Sequence, residues 1–193
     1  VSEILFDRLA IIGPGLIGSS IMRGARELGL VKTVVATARS EKTRARVREL
    51  GIADDVSETN AACVKDADLV IVCIPVGQSG AVAQEIGAHL KAGATVSDVG
   101  SVKGAVLRDM APHLPKSVHF IPGHPVAGTE FSGPDAGFAE LFVNRWCILT
   151  PPPGTDRKAL EKLIAFWRAL GANVECMPAD HHDLVLGITS HLP

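Results

Sequence analysis

The sequence predicts an α/β protein built on a doubly wound, mostly parallel sheet. Three observations carry this expectation. Short apolar runs alternate with helical stretches along the chain, which implies parallel βαβ units. One run, Leu69 to Ile74, is continuously apolar, as a sheet covered on both faces requires. A glycine-rich turn joins the first run to the first helix.

The elements follow in order. Leu9 to Ile12 forms a first strand, and a helix from Leu16 to Leu28 stops at Gly29. Thr33 to Thr37 is β-branched and reads as a strand; Ser40 can cap the next helix, which ends near Leu50 and Gly51. The Leu69–Ile74 strand ends at Pro75, and a helix from Ser79 to Leu90 is closed by Gly93. Thr95–Asp98 is a strand, Lys103–Met110 a short helix and His119–Ile121 a strand. Arg145–Leu149 is a strand, Ala159–Leu170 an amphipathic helix ending at Gly171, and Asn173–Met177 the last strand. A final helix starts at Asp180. Pro151-Pro152-Pro153-Gly154 is rigid enough to suggest a linker, but the βαβ rhythm resumes after it, so it reads as a loop within one domain.

Bulk properties narrow the function. A chain of 193 residues suits one domain, or one domain and the start of another. With 47% hydrophobic and 21% charged residues, a globular core is expected rather than disorder. The net charge of -2, with both signs spread along the chain, gives no footprint for nucleic acid or for a membrane surface. No apolar run reaches the roughly 18 residues that span a bilayer. Val1-Ser2-Glu3-Ile4 has neither the basic start nor the apolar stretch of a signal peptide. Cys63, Cys73, Cys147 and Cys176 are scattered, without metal-ligand spacing, and fit small buried side chains in a reducing cytoplasm. His181-His182-Asp183 looks metal-like, but adjacent helical residues point about 100° apart, so it reads as polarity at a helix start.

Gly13-Pro14-Gly15-Leu16-Ile17-Gly18 matches G-x-G-x-x-G directly after a strand and at the opening of a helix. Gly13 permits the tight turn, Gly15 lets a pyrophosphate approach the backbone, and Gly18 lets helix and strand pack closely. The free N–H groups at Leu16 and Ile17 then face the phosphates. This context identifies a Rossmann-type NAD(P)-binding domain. An NAD site places Asp or Glu about 20 residues beyond the third glycine. Here Thr37-Ala38-Arg39-Ser40 stands in that region, with Ala38 in place of the acid. Thr37, Arg39 and Ser40 can hold a 2′-phosphate, which favours NADP over NAD; Arg39 as a solvated surface residue is the alternative.

Ligands of open α/β sheets bind at the carboxyl ends of the strands. Cys73 and Pro75 lie at one such end, as further cofactor contacts. Ser101 and Lys103 follow the Thr95–Asp98 strand; Ser101 reads as a site residue or an N-cap, Lys103 as an anion contact or a solvated helix residue. The stretch Gly123-His124-Pro125-Val126-Ala127-Gly128-Thr129-Glu130-Phe131-Ser132-Gly133 is too elaborate for a plain turn. His124 there is a general-base candidate or a satisfied core histidine.

Together with Asp98-Val99-Gly100-Ser101-Val102-Lys103 and Ser190-His191-Leu192-Pro193, this loop and the glycine fingerprint resemble the ordered motif set of prephenate/arogenate dehydrogenases over nearly the whole chain. The resemblance implies an oxidoreductase of tyrosine biosynthesis. It would oxidatively decarboxylate prephenate to 4-hydroxyphenylpyruvate, or arogenate to tyrosine, using NADP or NAD. It implies His124 as acceptor of the substrate hydroxyl proton, with Ser101 orienting His124 or the substrate hydroxyl. Glu130, Ser132 and His191 would lie at the substrate pocket, where Lys103 and Arg145 are the nearby cations. Residues 1–178 would form the cofactor domain, and 179–193 would begin a helix leading into a helical domain that pairs the subunits as a homodimer and supplies arginine for the substrate carboxylates. The sequence ends inside that last motif. A β-hydroxyacid-type dehydrogenase lacks the Gly-His-Pro…Thr-Glu loop, and a non-catalytic dinucleotide sensor needs no histidine there.

Overall fold

A computed structural model describes residues 3–191, with side chains described up to residue 188. Strands β1 (Phe6–Ile12), β2 (Val31–Thr37), β3 (Asp55–Ser57), β4 (Leu69–Val72), β5 (Thr95–Asp98) and β6 (His119–Phe120) form one parallel sheet in the order β3-β2-β1-β4-β5-β6. The order reverses between β1 and β4, which opens the crevice where this architecture binds ligands. Side chains alternate faces along a strand. Leu9, Ile11, Leu69 and Ile71 enter one hydrophobic core, and Ala10, Ile12, Val70 and Val72 enter the other. Both faces are apolar because both are covered.

Helices α1 (Leu16–Glu27) and α6 (Arg157–Ala169) cover the first face; α3 (Asn60–Val64), α4 (Ser79–Ile86) and α5 (Lys103–Met110) cover the second. On α6, Phe166 and Trp167 are fully buried, Trp167 packing edge-on against Phe142 at 5.2 Å between ring centroids. Helix α2 (Glu41–Leu50) buries Val47 fully and packs the partly buried Leu50 against the core, starts under the Ser40 cap and ends at Gly51 in the left-handed conformation.

The chain departs from the expected pattern in several places. β3 and α3 carry few residues and little periodicity, so neither is visible in the sequence. β4 ends at Val72 rather than Ile74, and α4 gives way at Ile86 to a single 3₁₀ turn, Gly87–His89. The later strands do not extend the main sheet. β7 (Gly123–Pro125), β8 (Trp146–Leu149) and β9 (Asn173–Cys176) form a second sheet in which β7 is antiparallel to β8 and β8 parallel to β9. The Pro151–Gly154 segment lies inside the β8–α6–β9 crossover, and α6 packs on the same core as Leu9 and Ile11. The last helix, α7 (Ala179–His191), lies against α5 and leaves Leu184 and Ile188 exposed. Among the described residues no helix is long and apolar enough to cross a membrane.

Candidate active site

A cleft of about 850 Å³ opens along the carboxyl ends of β1, β2 and β4. At its centre Gly13 adopts φ +92°, and a Cβ there would lie 2.4 Å from the Cys73 carbonyl oxygen. The glycine is therefore required twice, by the backbone angle and by the neighbouring strand. A Cβ on Gly18 would lie 2.5 Å from the Gly13 oxygen, so the third glycine lets α1 press onto the turn. Above Gly15 no atom lies within 4 Å of the Cβ position. Gly15 caps α1 without a side-chain bond, and no acid occupies the first turn. The N–H groups of Leu16, Ile17 and Gly18 thus lack helical partners, and the positive dipole end faces open space. The partly buried Leu16 and Ile17 side chains pack against the core. This turn fits the pyrophosphate of a dinucleotide.

At the outer end of the cleft Ala38 and the exposed Arg39 line the wall. Of the two hydroxyls expected beside them, that of Thr37 is otherwise engaged. Thr37 Oγ1 is buried and donates to the Ser57 carbonyl at 2.8 Å. Ser40 Oγ accepts the Thr43 N–H at 3.1 Å as the cap of α2. Arg44, unremarked in the sequence, braces the corner by donating to the Ala38 and Arg39 carbonyls at 2.7 and 3.2 Å. Cys73 and Pro75 line the inner wall, and Gly133 and Pro134 close it from the loop after β7. That loop is tied down at its far end: Arg46 on α2 bonds Asp135 at 2.6 Å, and the Phe138 N–H donates to Ser20 Oγ at 3.1 Å.

Beyond the cleft a buried ion pair fixes the second half of the site. Lys103 donates to both Asp98 oxygens, at 2.7 and 2.6 Å, and to the Gly123 carbonyl at 2.5 Å. Asp98 also accepts the N–H groups of Gly100 at 2.8 Å and Gly123 at 3.1 Å. Burial pushes the Asp98 carboxyl up and the Lys103 ammonium down, and their contact opposes both shifts. All three Lys103 donors are used inside the protein, and the side chain is fully buried. The anion contact expected of Lys103 gives way to an internal clamp on Gly123. That clamp ties β7, and with it His124, to the carboxyl end of β5.

His124 is half-buried on β7, paired across the ladder with Ile148. Its Nδ1 lies 2.9 Å from Nε2 of the fully buried His182 on α7, and His182 Nδ1 lies 2.8 Å from Asp183 Oδ1. Burial, then the neighbouring His182 and Lys103, pull the His124 pKa down to about 4, with Asp183 opposing. Burial raises the Asp183 carboxyl, but the His182 bond and the N–H groups of Gly104 and Lys103 outweigh it and hold the group below the usual carboxylate range. Those two N–H groups, each at 2.8 Å, make Asp183 the cap of α5. The local N-cap is Val102, so Ser101 is not the cap; it is exposed at the end of the β5 segment. Glu130 and Ser132 are exposed on the loop after β7, and Arg145 is exposed just before β8. The His191 side chain lies outside the described residues.

Sequence reasoning missed Asp98, His182 and Asp183. The 100° argument applied to His181 and His182 excluded a shared metal site, yet it also implies that only one of them can face inward. His181 is exposed and His182 buried.

Residues 21–176 match the family model "Prephenate dehydrogenase, nucleotide-binding domain". The chain belongs to that family. It is 42% identical over 189 residues to the cyclohexadienyl dehydrogenase of Zymomonas mobilis, covering 98% of this chain and 64% of the relative. It is 33% identical to the prephenate dehydrogenase of Bacillus subtilis, covering 97% and 51%. The crystal structure of the A. aeolicus prephenate dehydrogenase, in complex with hydroxyphenyl propionate and NAD+, superposes with a TM-score of 0.88 at 31% identity, covering 99% of this chain and 65% of that one. The family thus contributes a pyridine-nucleotide fold to this chain, which spans about half to two thirds of the length of these relatives.

Proposed function

We propose that this chain forms the cofactor-binding and proton-accepting half of a dehydrogenase that oxidatively decarboxylates prephenate or arogenate. The observation that carries the reading is His124: a histidine kept uncharged by its surroundings and clamped, through Gly123 and Asp98, at the carboxyl end of the sheet. The turn at Gly13 and Gly15 and the N-terminus of α1 would hold the pyrophosphate. A bound nicotinamide dinucleotide would supply the hydride acceptor. His124 would accept the proton of the ring hydroxyl as the hydride leaves the same carbon. The ring carboxylate would depart as carbon dioxide, its bonding electrons would enter the ring, and the oxygen would take the proton back from His124 as the ring becomes an aromatic phenol. The product is 4-hydroxyphenylpyruvate from prephenate or tyrosine from arogenate. The protein's work is to position the ring and to hold one proton and return it. Ser101, Glu130, Ser132 and His191 are proposed as the remaining contacts to this substrate.

NADP is the proposed preference, with NAD accommodated less well. It is supported by Ala38 where an acid would meet a ribose hydroxyl, and by the exposed Arg39 on the cleft wall. The enzyme is proposed to be cytoplasmic and homodimeric, with a further helical domain after α7 supplying the pairing surface and a substrate-binding arginine. The exposed Leu184 and Ile188 on α7 suit burial by such a domain. The test is a turnover panel on the complete enzyme: prephenate, arogenate and 3-hydroxy acids, each with NADP and NAD. Turnover of a cyclohexadienyl substrate is expected. Turnover of 3-hydroxy acids alone would replace this reading with a β-hydroxyacid-type dehydrogenase, and cofactor binding without any turnover would make the chain a sensor.

A further inference from the structure

The three side chains His124, His182 and Asp183 form a directed chain of hydrogen bonds, and the direction can be worked out from one end. Asp183 is an acceptor only. Its Oδ1 already receives the Lys103 N–H and its Oδ2 the Gly104 N–H, both at 2.8 Å. The nitrogen that faces this carboxylate, His182 Nδ1 at 2.8 Å, must therefore carry a hydrogen. In a neutral ring the other nitrogen is then bare, so His182 Nε2 is an acceptor. It faces His124 Nδ1 at 2.9 Å, and a hydrogen bond between them requires the hydrogen to sit on His124 Nδ1. His124 Nε2 is left with its lone pair.

We propose that His182 and Asp183 are positioning residues that fix His124 in the tautomer whose Nε2 accepts a proton. This deepens the dehydrogenase reading and rests on it for its consequence in catalysis, though not for the tautomer itself. The device also sets the ring's direction. His124 and His182 meet edge-on, with planes 69° apart, so rotation of the His124 ring about its bond breaks the contact. His182 is fully buried and cannot be reached by a substrate, which excludes it as the acceptor. The surroundings of His124 favour the uncharged state that tautomer selection needs: burial first, then the neighbouring His182 and Lys103, disfavour a charged ring, and Asp183 bonds the His182 ring rather than His124. One carboxylate thereby couples two tasks, since Asp183 caps α5 and terminates the relay.

The experiment uses the full-length enzyme labelled with ¹⁵N-histidine, with His124 and His182 assigned from single variants. Long-range ¹H–¹⁵N spectra near neutral pH report which nitrogen of each ring bears hydrogen. The expected result is Nδ1–H with bare Nε2 on both rings. In Asp183→Ala, His182 loses its anchor, and His124 should shift to a mixture of tautomers. His182→Leu should lower kcat by about 10-fold or more with KM for the cofactor unchanged, whereas His182→Gln, whose amide oxygen can still accept from His124, should retain more activity than Leu. A doubly protonated His182, or a His124 with hydrogen on Nε2, would overturn the proposal. So would equal losses in the Leu and Gln variants. If the spectra are as expected but the enzyme turns over no cyclohexadienyl substrate, the functional reading fails and the tautomer assignment stands.

Discussion

Replacing Lys103 with methionine isolates the clamp beneath the site. Lys103→Met keeps the length and apolar character of the stem but removes three donors, two to Asp98 and one to the Gly123 carbonyl. Asp98 is nearly fully buried and would retain only the Gly100 and Gly123 N–H groups. Breaking one partner out of a buried pair typically costs about 3–5 kcal/mol, because a buried charge is left uncompensated. For a cooperative unit of this size that corresponds to a Tm lower by roughly 6–20 °C. Asp98→Asn in the same background removes the stranded charge while keeping a hydrogen-bonding side chain, so the double variant should recover much of the loss. Thermal unfolding of wild type, both single variants and the double variant completes the cycle. Additive losses, or a Lys103→Met effect below about 1 kcal/mol, would refute the argument that the pair acts as one unit.

Three further outcomes are expected. Arg39→Ala should weaken NADP binding more than NAD binding, and Ala38→Asp should shift preference toward NAD; calorimetric dissociation constants measure both, and an unchanged ratio in the two variants would mean that Arg39 faces only solvent. His124 carries a folded-state pKa of about 4 against an ordinary 6.5, so the folded protein binds fewer protons than the unfolded chain between these values. Its contribution to stability is therefore present above pH 6.5 and is lost as pH falls toward 4; the acid limb of kcat/KM should likewise lie well below pH 6.5, and a limb at 6.5 or above would contradict the burial argument. The 193-residue chain by itself should bind cofactor but turn over poorly, because a dianionic substrate needs cationic partners and Lys103 is already engaged. Calorimetry followed by turnover on one preparation tests this, and full activity in that chain would refute it.

The glycine turn was legible because each of its features is local: a strand, a positive φ at Gly13, a close contact at Gly18 and an uncapped helix follow within a few residues. The main sheet was legible for the same reason, since the continuous apolar run at Leu69 can only suit a doubly covered strand. What escaped was set by contacts distant in sequence. Nothing near Ser101 announces that α5 is capped from Asp183, 80 residues away. Lys103 looks like any helix lysine until Asp98 and Gly123 close around it. β7 is invisible because three residues containing glycine and proline have no strand signature of their own; it forms only against β8. Thr37 matched a phosphate site by type, yet a cross-strand carbonyl claims its hydroxyl.

The most direct test of the account is the turnover of His124→Ala in the complete enzyme with its cyclohexadienyl substrate. Loss of a positioned proton acceptor predicts kcat lower by roughly 10²–10⁴-fold, with the dissociation constant of the cofactor nearly unchanged, since the cofactor cleft is built from other residues. A variant that turns over near the wild-type rate would show that the proton leaves the substrate by another route and that the reading of His124 is wrong.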